Sequence, residues 1–104
     1  MKVLAKSLSV FILAALAALP SGCGKKENVV KLGFASPLTG DQAKMGIDSL
    51  NGVKLAVEEA NAAGDILPGY KIEIAAMDDQ HNPSQAVNVA KRLASDPDVL
   101  AVVG

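Results

Sequence analysis

Few side chains in this 104-residue sequence have both the type and the setting to do chemistry: the neighbouring carboxylates Asp78 and Asp79, the single histidine His81, and the single cysteine Cys23. Two adjacent acidic residues at the end of an apolar alternating stretch could hold a metal ion or accept a phosphoryl group. No further acidic group lies close in sequence to complete a metal shell, which hard cations require. The pair is therefore predicted to order its loop and to favour the positive end of the helix that follows. His81 has no second His or Cys at zinc spacing and is read as a solvated loop residue. Ser36, Ser49, Ser84 and Ser95 lack a G-x-S-x-G setting, and Gly33, Gly40 and Gly46 are spaced wrongly for a phosphate-cradling G-x-G-x-x-G turn. The sequence thus predicts no catalytic residue, no cofactor and no metal.

Cys23 has a different context. Lys2 and Lys6 form a short basic start, and Leu8 to Leu19 is an apolar run whose only polar member is Ser9. Such a run is too short to span a hydrocarbon core, which needs about 20 helical residues. Basic start, short apolar stretch and small-residue exit describe a secretory signal peptide over residues 1–22. Cys23 follows in Leu19-Pro20-Ser21-Gly22-Cys23, a sequence that resembles the lipobox of bacterial lipoproteins, with Pro20 where that motif usually has Leu. The alternative is cleavage at Ala15-Leu16-Ala17, leaving a free thiol. An exposed unpaired thiol in an exported protein oxidises or cross-links, which favours Cys23 as the lipidated residue. Residues 23–28 then form a polar tether, and the remaining domain occupies 29–104.

The elements that position these residues follow from periodicity. Val29 to Ala35 is mostly apolar and ends at Ser36-Pro37, a buried strand. Ser36 to Gly46, with Pro37, Gly40 and Gly46, is a loop by its breakers. Ile47, Leu50, Val53, Val57 and Ala60 recur at spacings of three and four, one face of a helix whose solvated side carries Asp48, Asn51, Lys54, Glu58 and Asn61. Gly64 is its stop. Tyr70 to Met77 alternates as a strand, with Tyr70, Ile72, Ile74 and Ala76 on one face. Asn82, Pro83 and Gln85 fit the cap, first and third positions of a second helix, with a capping box completed by Gln85. Ala86, Val89, Ala90 and Leu93 form its apolar stripe. Val99 to Val103 is wholly apolar and suits a strand covered on both faces.

The resulting order, β-α-β-α-β, predicts an α/β fold: part of a doubly wound parallel sheet with right-handed crossovers. Three strands and two helices fall short of such a domain, so the sequence reads as a fragment. Ten basic side chains face eleven acidic ones, and without Lys2 and Lys6 the formal charge is −3. That balance excludes the basic excess of a nucleic-acid binder and provides no polybasic membrane patch.

The stretch KLGFASPLTGDQAKMGIDSLNGVKLAVEEANAAG, Lys31 to Gly64, resembles the opening of the branched-chain amino-acid binding proteins of ABC transporters. The resemblance runs on through LPGYKIEIAAMDDQHNPSQAVNVAKRLASDPDVLAVVG. It is carried by Pro-Leu-Thr-Gly with Met45-Gly46, by Asn51-Gly52 and Glu59-Ala60-Asn61, and by Asp78-Asp79 with Asn82-Pro83 and Ala86-Val87. It implies two α/β lobes closing on a small ligand, of which this chain supplies the first three strands of the N-terminal lobe. It also implies an ABC permease as partner and a place in the periplasm or on the outer face of the cell membrane. Met45 takes the position beside the ligand's side chain, as a flexible apolar contact. Its other reading is a packing residue at the start of the first helix. Binding proteins for urea and short amides, and a secreted sensing or docking module, are the alternatives. One wall of an open cleft buries little of a small ligand, so this polypeptide alone is expected to bind weakly.

Overall fold

The computed structural model describes residues 27–104, so the leader and Cys23 lie outside the described residues. Five elements follow one another: β1 (Asn28–Ser36), α1 (Ala43–Ala63), β2 (Tyr70–Asp78), α2 (Pro83–Ser95) and β3 (Val99–Val103). The strands form one parallel sheet in the order β2-β1-β3. β1 is central, pairing with both β2 and β3, and apolar residues occupy both of its faces. The chain steps to one side of β1 for β2 and to the other for β3, so two right-handed crossovers put the helices on opposite faces.

Alternation in β1 shows both faces in use. Val30 and Leu32 look towards Val57 and Ala60 of α1, together with Ile72 of β2. On the other face a methyl at Gly33 would sit 3.3 Å from Leu93 of α2 and 3.0 Å from Val102 of β3. The core is small: Phe34, Val57, Val89 and Leu93 are its buried hydrophobic residues. Ala75 and Met77, the apolar residues on the second face of β2, are both half-buried, and Met77 lies beside Lys91 and Arg92 of α2.

Several sequence expectations need correction. α1 begins at Ala43, four residues before the predicted start at Ile47, so Gly46 lies inside the helix. Gly46 is not a breaker, and its role is steric: a Cβ there would collide with the Pro37 carbonyl oxygen. The glycine that turns the chain is Gly40, at φ 79°, whose carbonyl accepts from the Ala43 amide. Ile47 remains 44% exposed, while Leu50, Val53, Val57 and Ala60 turn inward. Asn61 is not solvated. Its side chain donates to the Ile72 carbonyl at 2.8 Å and accepts from the Ile72 amide at 2.9 Å. Both backbone groups lie on the open edge of β2, which Asn61 thereby blunts. β3 is the other edge, and it is not covered on both faces: Leu100, Val102 and Val103 are all exposed. With β1 as its only neighbour and α1 lying over β2, β3 has little beside α2 to pack against.

Helix ends follow the capping rules unequally. Asn82 caps α2, accepting from the Ser84 and Gln85 amides at 2.9 and 3.2 Å, with Pro83 at the first position. The predicted return arm from Gln85 has no free target, because the Asn82 amide donates to the Asp79 carbonyl. α1 has no side-chain cap at Gln42, and it ends at Gly64 in the left-handed region.

Candidate functional site

In an open parallel sheet, ligands bind beyond the carboxyl ends of the strands. Here that edge gathers the loop from Pro37 to Gln42, the loop from Asp79 to Asn82, and Gly104 after β3. The chain is drawn tight there. A Cβ at Gly104 would collide with the Ala35 carbonyl oxygen, just as one at Gly46 would meet Pro37. At both points only glycine allows the backbones to approach so closely.

Asp78 joins the two loops. Its Oδ1 accepts from the Leu38 amide and from the Gln80 amide, each at 2.8 Å, and its Oδ2 accepts from the Thr39 hydroxyl at 2.5 Å. These bonds stabilise the charged form and hold its carboxyl below the usual carboxylate range, the Thr39 hydroxyl contributing most and the Leu38 amide next. The sequence expectation that Asp78 serves its own loop and the second helix is thus incomplete, since two of its three donors come from the first loop. Asp79 does stay local: its Oδ1 accepts from the His81 amide at 2.9 Å. Gln80 and His81 both adopt positive φ, 54° and 53°, and His81 is exposed, as a solvated loop residue should be. Among the described residues, no three His, Cys, Asp or Glu side chains come together.

Met45 lies in the first turn of α1, 56% exposed, beside Asp41, Gln42, Lys44, Asp48 and Ser49. It is therefore not one of the packing residues of the core. The tight approach of Gly46 to Pro37 fixes this turn against the first loop, so Met45 is held at the rim of the strand-end edge. Met45, just before Gly46, is a residue that the family resemblance picks out in the sequence. The partnership of Asp78 with Leu38 and Thr39, roughly forty residues away, is not legible there.

The most apolar concavity is elsewhere. Val30, Leu32, Val57, Ala60, Ile72 and Leu100 line a groove of about 320 Å³ between α1 and β3. Almost no polar group reaches it, so it has nothing to orient an ammonium or a carboxylate. Among the described residues no helix is long and apolar enough to cross a membrane.

Comparison with known proteins agrees with this geometry. The family described as periplasmic binding protein matches residues 29–104, and the chain belongs to that family. An amino acid binding protein of Pseudomonas aeruginosa is 44% identical over 75 residues, covering 72% of this chain and 20% of the relative. A Leu/Ile/Val-binding protein homolog of Brucella abortus is 36% identical over 88 residues, 85% of this chain and 24% of its own length. Among solved structures, a putative branched-chain amino acid ABC transporter from Rhodospirillum rubrum superposes with a TM-score of 0.69 at 32% identity, covering 73% of this chain and 22% of that one. The branched-chain amino acid transporter substrate-binding protein LivJ from Streptococcus pneumoniae, solved in complex with isoleucine, gives 0.67 at 35% identity, covering 74% and 22%. The β-α-β-α-β unit corresponds to the N-terminal lobe of these proteins. The chain spans about a fifth to a quarter of the length of the relatives it matches.

Proposed function

We propose that this chain supplies one wall of an extracytoplasmic solute-binding protein that captures a branched-chain or related amino acid and delivers it to an ABC permease. The observation that carries the reading is the likeness to the isoleucine-bound S. pneumoniae protein, at 35% identity over 74% of this chain. The names of the P. aeruginosa and B. abortus relatives support the same ligand class. Capture proceeds by closure of a second lobe over the strand-end edge, with no chemistry on the ligand. Met45, exposed at that edge, supplies an unbranched apolar contact for the ligand's side chain. Cys23 carries a lipid anchor, and a tether that ends before Asn28, the first residue of β1 and not the last of the linker, holds the domain at the outer face of the membrane.

Isothermal titration of the full gene product with leucine, isoleucine, valine, urea and acetamide tests the ligand class. Saturable heat with a branched-chain amino acid is expected. Heat with urea or acetamide alone would move the protein to the amide binders, and no heat with any of them would leave a docking or sensing module. Labelling with a radioactive fatty acid, lost in Cys23→Ala, tests the anchor.

A further inference from the structure

Met45 can serve a ligand only if the start of α1 is held in place, and α1 lacks the usual means of holding it. Its N-cap, Gln42, makes no side-chain capping bond, whereas α2 is capped twice over by Asn82. What braces α1 is the first loop. The Gly46 backbone lies so close to the Pro37 carbonyl that no side chain fits between them. The two residues after Pro37 are in turn bound to one group, because Leu38 and Thr39 both donate to the Asp78 carboxylate, at 2.8 and 2.5 Å. That carboxylate sits at the end of β2, opposite Ser36 in the register of the sheet, and the Asp79 amide adds a bond to the Ser36 carbonyl at 3.3 Å. A continuous path therefore runs from β2 through Asp78, Leu38, Thr39 and Pro37 to Gly46 and Met45.

We propose that Asp78 is the positioning residue of the ligand wall: by holding Leu38 and Thr39 it presses Pro37 against Gly46 and so sets where Met45 meets the ligand. The inference rests on the amino-acid-binding reading above for its ligand, and on geometry alone for the path. Asp78 touches no ligand in this scheme. Its carboxylate is preferred to an amide because each of its oxygens accepts, and charge-assisted acceptance is the stronger kind. The Thr39 hydroxyl is the part of the path that can be removed with least disturbance, since it is exposed and contributes one bond.

The test is a double-mutant cycle in the full gene product, titrated with leucine. Asp78→Asn is expected to weaken binding about ten-fold and Thr39→Val about three-fold, equivalent to about 1.4 and 0.7 kcal/mol. The decisive readout is coupling: Met45→Ala should cost much less in the Asp78→Asn background than in the wild type, because the contact has already been displaced. A purely structural Asp78 would lower the melting temperature and leave the two effects multiplicative, which would overturn the proposal. Should Asp78→Asn not fold, Thr39→Val carries the same cycle. Should the wild-type protein bind no amino acid, the functional reading fails while the path is still tested. In that case the ¹³C-methyl signal of Met45 in the unliganded protein should shift in Thr39→Val and Asp78→Asn, with faster exchange of the Leu38 amide. An unmoved Met45 signal in both variants overturns the path.

Discussion

The two ends of the sheet are each tied by a carboxylate, and the ties differ in what they hold. At the carboxyl ends of the strands, Asp78 accepts from two backbone amides and one hydroxyl, gathering two loops around a rim that carries Met45. At the opposite end, Asp96 accepts from the Lys31 ammonium at 2.7 Å and from the Asp98 amide at 3.0 Å, joining β1 to the turn before β3. The lower tie is an ion pair, with the Lys31 hydrogen bond as the main cause that draws Asp96 below the usual carboxylate range, and the Asp96 bond as the main cause that raises Lys31. Asn61 belongs to the lower end too, where it pairs the edge of β2. One end fixes two loops against each other; the other fastens strands and a helix end to each other. The contrast shows that similar carboxylates can be told apart by what their donors belong to, and not by their exposure or charge.

The sharpest way to break this comparison is Gly46→Ala. The new methyl would meet the Pro37 carbonyl, so the helix start or the loop must move; overpacking of this kind costs about 3 kcal/mol at its upper end. Chemical denaturation should show that loss, and leucine affinity of the full gene product should fall with it. A variant of unchanged stability would mean that α1 is not pressed on the first loop.

Asp96→Asn sharpens the comparison from the other side. The folded carboxyl is more acidic than its ordinary value of 3.8, so its contribution is complete above that pH and drains away as pH falls through the lower folded value. The Lys31 contribution has the opposite sign: it is present through neutral pH and is lost as pH rises beyond 10.5 through the raised folded value. Asp96→Asn should therefore lower the melting temperature at pH 7, have progressively less effect below pH 3.8, and leave leucine affinity unaltered. A loss of affinity equal to that of Asp78→Asn would erase the distinction between the two ends.

The smallest effect is expected at the second glycine of α1. Gly52 faces open space, with no atom within 4 Å of a built Cβ, in the same helix where Gly46 is hemmed in. Gly52→Ala should stabilise the fold by about 0.5 to 1 kcal/mol, read from the denaturation midpoint, with no change in ligand affinity.

These two glycines also show what the sequence could and could not reveal. The order of strands and helices was legible because burial imposes periods of two and of three to four, and those periods survive in Val29–Ala35, in Val53–Ala60 and in Tyr70–Met77. The cap of α2 was legible because Asn-Pro at a helix start is a local code. A glycine, however, looks the same in sequence whether it turns the chain, as Gly40 does, or admits a carbonyl, as Gly46 does. Long-range hydrogen bonds leave no period at all, which is why Asp78 and Asn61 were assigned only to their own surroundings. Met45 was singled out by resemblance and not by pattern, and its place on the exposed first turn became visible only in three dimensions.

The account turns on the strand-end edge being the ligand wall, and the methionines allow that to be measured directly. Met45 lies at that edge, while Met77 lies in β2 beside Lys91 and Arg92 of α2. Leucine titrated into ¹³C-methyl-methionine-labelled full gene product, with signals assigned by substitution, should shift the Met45 methyl in a saturable way and leave Met77 in place. A saturable shift at Met77 with Met45 unmoved would contradict the account and put the ligand elsewhere.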